Sequence, residues 1–401
     1  MANSPISRGL VDDPDWRIIE PWAIQLRRQI HEHPELGLET PRTQAVVEDA
    51  LDALGIRHNR PIAYGVRAHL GPVNGPAILL RADMDGLPVA EQTGLAFAST
   101  EPDRMHACGH DAHTAMLLAA ARYLKRHEDQ LTRPVVLIFQ PGEEGPGGAL
   151  PMLDAGILTN PSVSQAVMVH VDSDLPVGVV GLKEGPAMAA PHAFNIVVKG
   201  QGGHGAHPDK GVDAIVTAAA IIQACQTLVS REQDPVVPLV VTFGTIVGGY
   251  RENVIADRVT MTGTIRIVDP GQQPSFLHRF RALVTQIGEA YRADVDVTVN
   301  SGYPALVANP AFTRAVGKRL SEVLGEDQVK WLTAPSMGAE DFAYIAQKIP
   351  ATSLKIGVVG PGSQSGIHSP HFVLDEDGIG VGAKALAALA LSESLLKGGA
   401  C

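Results

Sequence analysis

The sequence predicts an α/β protein: an open mixed sheet flanked by helices, interrupted by an inserted α+β domain of ferredoxin-like order. Three observations carry this expectation. Short all-apolar runs read as buried strands, and stretches of helical periodicity separate them. Three such strands are each followed by acid or histidine, where open α/β sheets hold their ligand crevice. Between Ala193 and Val299 the order changes to β-α-β-β-α-β, a self-contained pattern. The 41 glycines and 29 prolines suit the many turns of such a fold.

The first dozen residues read as a frayed lead-in. Trp16 to His31 has helical spacing and is stopped by Pro34, and Thr43 to Leu54 forms a second helix with Gly55 after it. Ala77 to Leu80 is a short strand running into Arg81-Ala82-Asp83-Met84-Asp85-Gly86. A loop, Met105 to His113, feeds a helix reaching about Lys125. Pro134 to Gln140 is an apolar strand that opens onto Pro141-Gly142-Glu143-Glu144-Gly145. Ala166 to Val169 is a strand ending at His170-Val171-Asp172.

The insertion contains a strand at Ala193–Lys199, a glycine-rich loop at 200–208 and a helix from Asp213 to Ser230. Strands at Leu239–Phe243 and Arg258–Val268, a helix at Pro274–Tyr291 and a strand at Asp294–Val299 complete it. The α/β character then returns. A helix spans Ala311 to Leu324, a polar turn at Ser336–Phe342 opens another, and a strand covers Ala351 to Val359. A loop at Ser365–Phe372 and a helix at Asp377–Leu396 close the chain. Residues 1–190 and 306–401 are thus expected to form one domain, and 191–305 the inserted one.

At 401 residues a single core is unexpected. A net charge of −11 argues against nucleic acid or an anionic membrane as partner. No run of 18 or more apolar residues is present, the first sixteen residues lack a signal-like apolar region, and three cysteines make no disulfide framework. A soluble cytoplasmic protein is the expectation.

Met105-His106-Ala107-Cys108-Gly109-His110-Asp111-Ala112-His113 is the most concentrated chemistry in the chain. Cys108 alone could be a small buried hydrophobe. Packing gives no reason to set a thiol, three imidazoles and a carboxylate against an apolar helix start, whereas zinc and its neighbours bind such donors. Glu143-Glu144 follows an apolar strand and lies between glycines. If the segment is extended, one carboxylate can bind metal while the other faces a bound water; a solvated acidic loop is the alternative. Asp85 is either a support for a ligand histidine or a turn-stabilising aspartate.

These motifs resemble the metal-dependent amidohydrolases of the aminoacylase and carboxypeptidase-G-like clan, nearest to its hippurate hydrolase and indoleacetyl-amino-acid hydrolase branch. The resemblance runs over roughly residues 15 to 395. It rests on His31-Glu32-His33-Pro34-Glu35-Leu36-Gly37, Leu80 to Pro88, Met105 to His113, Pro141 to Gly145, Gly202 to Pro208, Asn253-Val254-Ile255, Gly263 to Arg266, Gly338 to Phe342 and His368-Ser369-Pro370. It implies a zinc-exopeptidase-like catalytic domain and an inserted domain that serves as lid and dimerisation module. Two divalent ions per subunit (zinc, manganese, cobalt or nickel) would be held by Cys108, His110, Glu144, His170 and His368. Glu143 would be the general base toward metal-activated water, and Asp85 a support for a ligand histidine. His106 and His113 would be supporting residues rather than ligands.

His204 would reach the partner subunit's active site and help stabilise the oxyanion. Asn253 and Arg266 would contact substrate, with Arg266 as a carboxylate clamp; a plain strand-face charge is the alternative for Arg266. The implied activity is cleavage of N-acyl-amino acids to an acid and an amino acid. A dipeptidase or N-carbamoyl-amino-acid hydrolase would use the same site, and a homodimer through the inserted domain is implied. Two further readings compete: a thiol hydrolase with Cys108 as nucleophile, and a binding protein with a vestigial site. Relatives continue His170 as His-Val-Trp-Pro, whereas this chain has Asp172-Ser173-Asp174, which puts the acyl preference in doubt.

Overall fold

The computed structural model describes residues 9–393 and Leu395. Two compact units emerge. The first takes residues up to 185, 307–334 and 341 onward; the second takes 186–306 and 335–340. Pro335–Glu340 joins the second unit through backbone bonds from Ser336 N–H to Ala187 O and from Ala189 N–H to Gly338 O, each 2.9 Å.

The first unit is organised on an eight-stranded mixed sheet. Its strand order is His58–Asn59, Val66–Leu70, Val135–Gln140, Ala77–Asp83, Val163–Pro176, Ala351–Val359, Val180–Leu182 and Val329–Trp331. The strands Ala77–Asp83, Val135–Gln140, Val163–Pro176 and Ala351–Val359 run parallel and are buried almost throughout. This explains their unbroken apolar runs. Helices Trp16–His31, His110–Arg126 and Asp377–Ala390 share one core, contributing Ala23, Met116, Leu118, Ala383 and Leu386.

Several boundaries differ from expectation. The helix begins at His110, not after His113, so His110, Asp111 and His113 sit on its first turn. The strand expected to stop before His170 runs from Val163 to Pro176 and carries His170 in its interior. The polar turn at Ser336–Phe342 opens only one helical turn, Ala343–Ala346. The closing helix ends at Ala390; Leu396, its expected end, lies outside the described residues. Four strands of this sheet escaped notice. His58–Asn59, Val180–Leu182 and Val329–Trp331 are too short for any periodicity to register, and Val66–Leu70 alternates with Arg67 and His69.

The second unit carries a four-stranded antiparallel sheet in the order Leu239–Gly248, Arg258–Ile267, Ala190–Lys199, Asp294–Ser301. With helices Ala214–Thr227 and Gln273–Ala290 this is the ferredoxin-like arrangement. Phe194, Ile196, Ile221, Met261, Phe280 and Val284 form its core. Asp213 caps the first helix by accepting from Ile215 N–H and Val216 N–H at 2.9 and 3.2 Å. The helical stretch 214–232 is long and apolar enough by length and mean composition to cross a membrane, although Thr217, Gln223 and Gln226 interrupt its apolar run. Its Ala214, Thr217, Ala218, Ile221 and Cys225 are buried in this unit.

Candidate metal centre

The centre is assembled on the first unit by loops held in unusual backbone conformations. Gly109 has φ +83°, and a Cβ there would lie 2.7 Å from Val171 Cγ2, so only glycine turns the chain between Cys108 and His110. His368 also sits at positive φ, +65°, and its N–H is bonded to Ala107 O at 2.7 Å. A non-glycine residue held there is strained backbone of the kind that collects at functional sites.

These constraints gather all five expected ligands. Cys108 Sγ lies 3.5 Å from His170 Nε2, and His368 Nε2 lies 3.0 Å from Glu144 Oε1. Cys108, His110 and His170 form one triad of donor atoms, and Cys108, Glu144 and His368 a second. Within each triad the donor atoms lie within 4.8 Å of one another. The two triads share Cys108. Both ring nitrogens of buried His110 lack an aligned hydrogen bond, although Asp83 and Asp85 oxygens stand 3.7 and 3.5 Å away. Buried polar atoms left open in this way, among thiol, imidazole and carboxylate, fit a site for divalent cations.

The electrostatics agree. Burial pushes the Cys108 thiol well above its usual range, with His110 only partly opposing. Burial works against charge on His110, but Asp83 and Cys108 outweigh it and hold the imidazolium well above its ordinary range. Burial raises the Glu144 carboxyl, yet His368 and His110 bring it below the ordinary value. Cation binding would displace the protons on such groups. His170 donates Nδ1–H to Val171 O at 2.6 Å, leaving Nε2 as its free donor.

Asp85 accepts Glu143 N–H at 2.9 Å and Glu144 N–H at 3.0 Å, so it holds the acidic loop as well as standing beside His110. That loop is a turn, not the extended segment expected. Glu143, Glu144 and His110 donor atoms converge within 4.8 Å. Asp83 bonds His113 Nδ1 at 2.6 Å. His106 is buried with neither ring nitrogen hydrogen-bonded, and burial depresses its pKa to about 3.

Two supporting clusters were missed. Arg81 donates to Asp83 Oδ2, Asp341 Oδ1 and Gln140 Oε1 at 2.7, 2.9 and 3.0 Å. Arg27 Nε bonds Asp111 Oδ2 at 2.6 Å, and His31 Nδ1 lies 2.7 Å from the same oxygen. An arginine inside an otherwise apolar strand was the available signal for the first.

The three remaining candidates lie on the second unit. His204 pairs with Val254 in a two-stranded ribbon, and Gly205 N–H bonds Asn253 O at 2.8 Å, so His204 and Asn253 stand together, both exposed. Arg266 is near the opposite end of the Arg258–Ile267 strand, half-buried. At about 3.3 Å per residue, the strand separates Arg266 from Arg258 by about 26 Å.

The fold and the shared-cysteine centre define a metallohydrolase with an inserted ferredoxin-like domain. The chain matches the sequence profile of Peptidase family M20/M25/M40 over residues 79–392, and it belongs to that family. It is 39% identical over 389 residues to thermostable carboxypeptidase 1 of Saccharolobus solfataricus, covering 95% of this chain and 97% of that one. It is 39% identical over 368 residues to N-acetyl-L-cysteine deacetylase of Bacillus subtilis, covering 90% and 85%. The crystal structure of the Bacillus subtilis YXEP protein, described as a dinuclear metal-binding peptidase of the M20 family, superposes with a TM-score of 0.81. It is 32% identical and covers 94% of this chain and 98% of that one. The protein is accordingly a hydrolase of amide or peptide bonds.

Proposed function

We propose that this protein is a dinuclear metal-dependent amidohydrolase that splits N-acyl-amino acids into a carboxylic acid and a free amino acid. The observation that carries the reading is the pair of donor triads meeting at Cys108, with Glu143 beside them. Cys108, His110 and His170 would hold one ion, and Cys108, Glu144 and His368 the other. Such ions supply Lewis-acid polarisation of the amide carbonyl and a lowered pKa for water; zinc, manganese, cobalt and nickel all suit the donors. Glu143, held by Asp85 through its backbone, takes the proton from the attacking water and returns it to the leaving nitrogen. His204 offers a donor to the developing oxyanion, and Arg266 and Asn253 bind the substrate's polar groups.

The ribbon that carries His204 adjoins the Arg258 end of the Arg258–Ile267 strand, and Arg266 lies about 26 Å along that strand from Arg258, too far for both side chains to meet on one small substrate. This supports a homodimer in which His204 serves the neighbouring chain. The second unit exposes Ile215, Val216, Ile246, Val247 and Tyr250, an apolar surface suited to such an interface. Cys108 and Cys225 are free thiols, as a cytoplasmic enzyme would keep them.

The test is amino-acid release from a panel of N-acyl-amino acids, hippurate and N-acetyl-cysteine included, with chelated and metal-restored protein. Metal-restored release is expected, and Glu143→Gln is expected to keep its metal while losing on the order of 10²–10⁴-fold in turnover. Full activity in Glu143→Gln would remove its role as base. Release only from dipeptides or carbamoyl-amino acids would shift the substrate class.

A further inference from the structure

We infer that His113 is a positioning residue for the metal ligand His170, acting through the backbone of Val171, and is not itself a ligand. The inference rests on the dinuclear reading above. Proximity alone would permit the opposite, since donor atoms of His113, His110 and Asp83 lie within 4.8 Å of one another.

The hydrogen bonds decide between the two roles. Val171 N–H points at His113 Nε2 from 2.8 Å. A backbone N–H can only donate, so Nε2 carries the lone pair and the ring proton is on Nδ1. Nδ1–H donates to Asp83 Oδ1 at 2.6 Å. The ring is then neutral and both nitrogens are engaged, which leaves no lone pair for a cation. Val171 works from its other side as well. Its carbonyl accepts His170 Nδ1–H at 2.6 Å and so commits His170 Nε2, 3.5 Å from Cys108 Sγ, to the centre. Val171 Cγ2 also fills the space against Gly109, between ligands Cys108 and His110. One residue, held by His113, therefore accepts from His170 and packs against the glycine between Cys108 and His110.

The support continues backward. Asp83 is fixed by Arg81 at 2.7 Å, and Arg81 in turn by Gln140 and Asp341. His113, Asp83, Arg81, Gln140 and Asp341 are all buried, so none can swing away without leaving a partner unsatisfied. Residues that orient a ligating histidine through its second ring nitrogen typically change metal affinity or activity 10–100-fold when lost.

The test uses the full chain loaded with cobalt(II), read by metal content, titration and visible absorption, with a thermal melt of each variant. His113→Gln keeps an oxygen able to accept Val171 N–H and an amide able to donate to Asp83. It should bind two ions per chain with near-wild-type affinity and spectrum. His113→Leu should still bind two ions, but about 10–100-fold more weakly and with shifted cobalt bands. Loss of one equivalent in both variants would make His113 a ligand and overturn the inference. Wild-type affinity and spectrum in His113→Leu would also overturn it.

If His113→Leu fails to fold, His113→Ala supplies the second arm, because it removes the acceptor of Val171 N–H without crowding the site. Weakened cobalt binding with shifted bands is expected there, and unchanged binding sinks the inference. Every arm reads metal binding rather than hydrolysis. A chain that binds cobalt normally but cleaves no N-acyl-amino acid removes the substrate reading alone. A wild-type chain that binds no cobalt overturns both.

Discussion

At the scale of single residues, His31 shows how a buried charge becomes a pH-dependent stabiliser. Its Nδ1 lies 2.7 Å from Asp111 Oδ2 and its Nε2 3.3 Å from Glu91 Oε1. Burial disfavours the imidazolium and Arg27 adds repulsion, yet Asp111 and Glu91 hold its pKa above the ordinary 6.5. A raised folded-state pKa means the contribution is full below about 6.5 and fades as pH rises through the folded value. The difference in melting temperature between wild type and His31→Gln should therefore be larger at pH 5.5 than at pH 9. An equal difference at both ends would show that His31 contributes packing alone. Arg27, bonded to Asp111 beside it, keeps that carboxyl below its usual range and so preserves an anion next to the positive ring.

At the scale of elements, the acidic loop after the Val135–Gln140 strand is held at both ends and in the middle. Asp341 accepts from Gln140 Nε2 at 2.9 Å where the loop begins and from Ala149 N–H at 2.9 Å where it ends. Asp85 takes the two N–H groups between. Glu143 and Glu144 are thus presented from a rigid turn, and no reorganisation is needed to bring them to the centre. Gly142 supports this with φ +78°, and a Cβ there would lie 2.7 Å from Leu38 Cδ2. Asp341 is also a buried partner of Arg81. Replacing it by alanine removes one of the two buried carboxylates on Arg81 and leaves Gln140 Nε2 and Ala149 N–H without their acceptor, which costs about 3–5 kcal/mol. Urea denaturation of Asp341→Ala should show a loss of that order. A loss below ~1 kcal/mol would mean the guanidinium finds other compensation, and the loop would then keep its position.

At the scale of the whole molecule, the second unit presents an apolar face. Val247 is 70% exposed on the edge strand Leu239–Gly248, which also carries Ile246, and Tyr250 just beyond it is 72% exposed. Exposed apolar edge strands invite pairing with another chain. If the proposed dimer forms through this face, Val247→Glu should halve the mass seen in light scattering; an unchanged dimer mass would place the interface elsewhere. Co-refolded Glu143→Gln and His204→Ala subunits should regain activity, because a mixed dimer has one site with an intact base and an intact donated histidine. Absence of recovery, with mixed dimers verified, would return His204 to its own chain.

Much of this was written locally. Apolar runs such as Ile78-Leu79-Leu80 and Val135–Phe139 announced the central strands because a strand buried on both faces must be apolar throughout. The donor types around Cys108 and the glycines beside Glu143-Glu144 announced the chemistry, because metal ligands and tight turns restrict residue type at the position itself. Which donors meet was decided only by the tertiary structure. Cys108 belongs to two triads because strand Val163–Pro176 brings His170 to one side and the His368 loop closes on the other. His113 lies three residues from His110 on the helix and has the same side chain, yet its ring is committed to Asp83 and Val171. Arg81 finds Asp341 across 260 residues of sequence. A hydrogen bond between distant residues leaves no period and no local composition, so its partners become visible only when the backbone has brought them to within 3 Å.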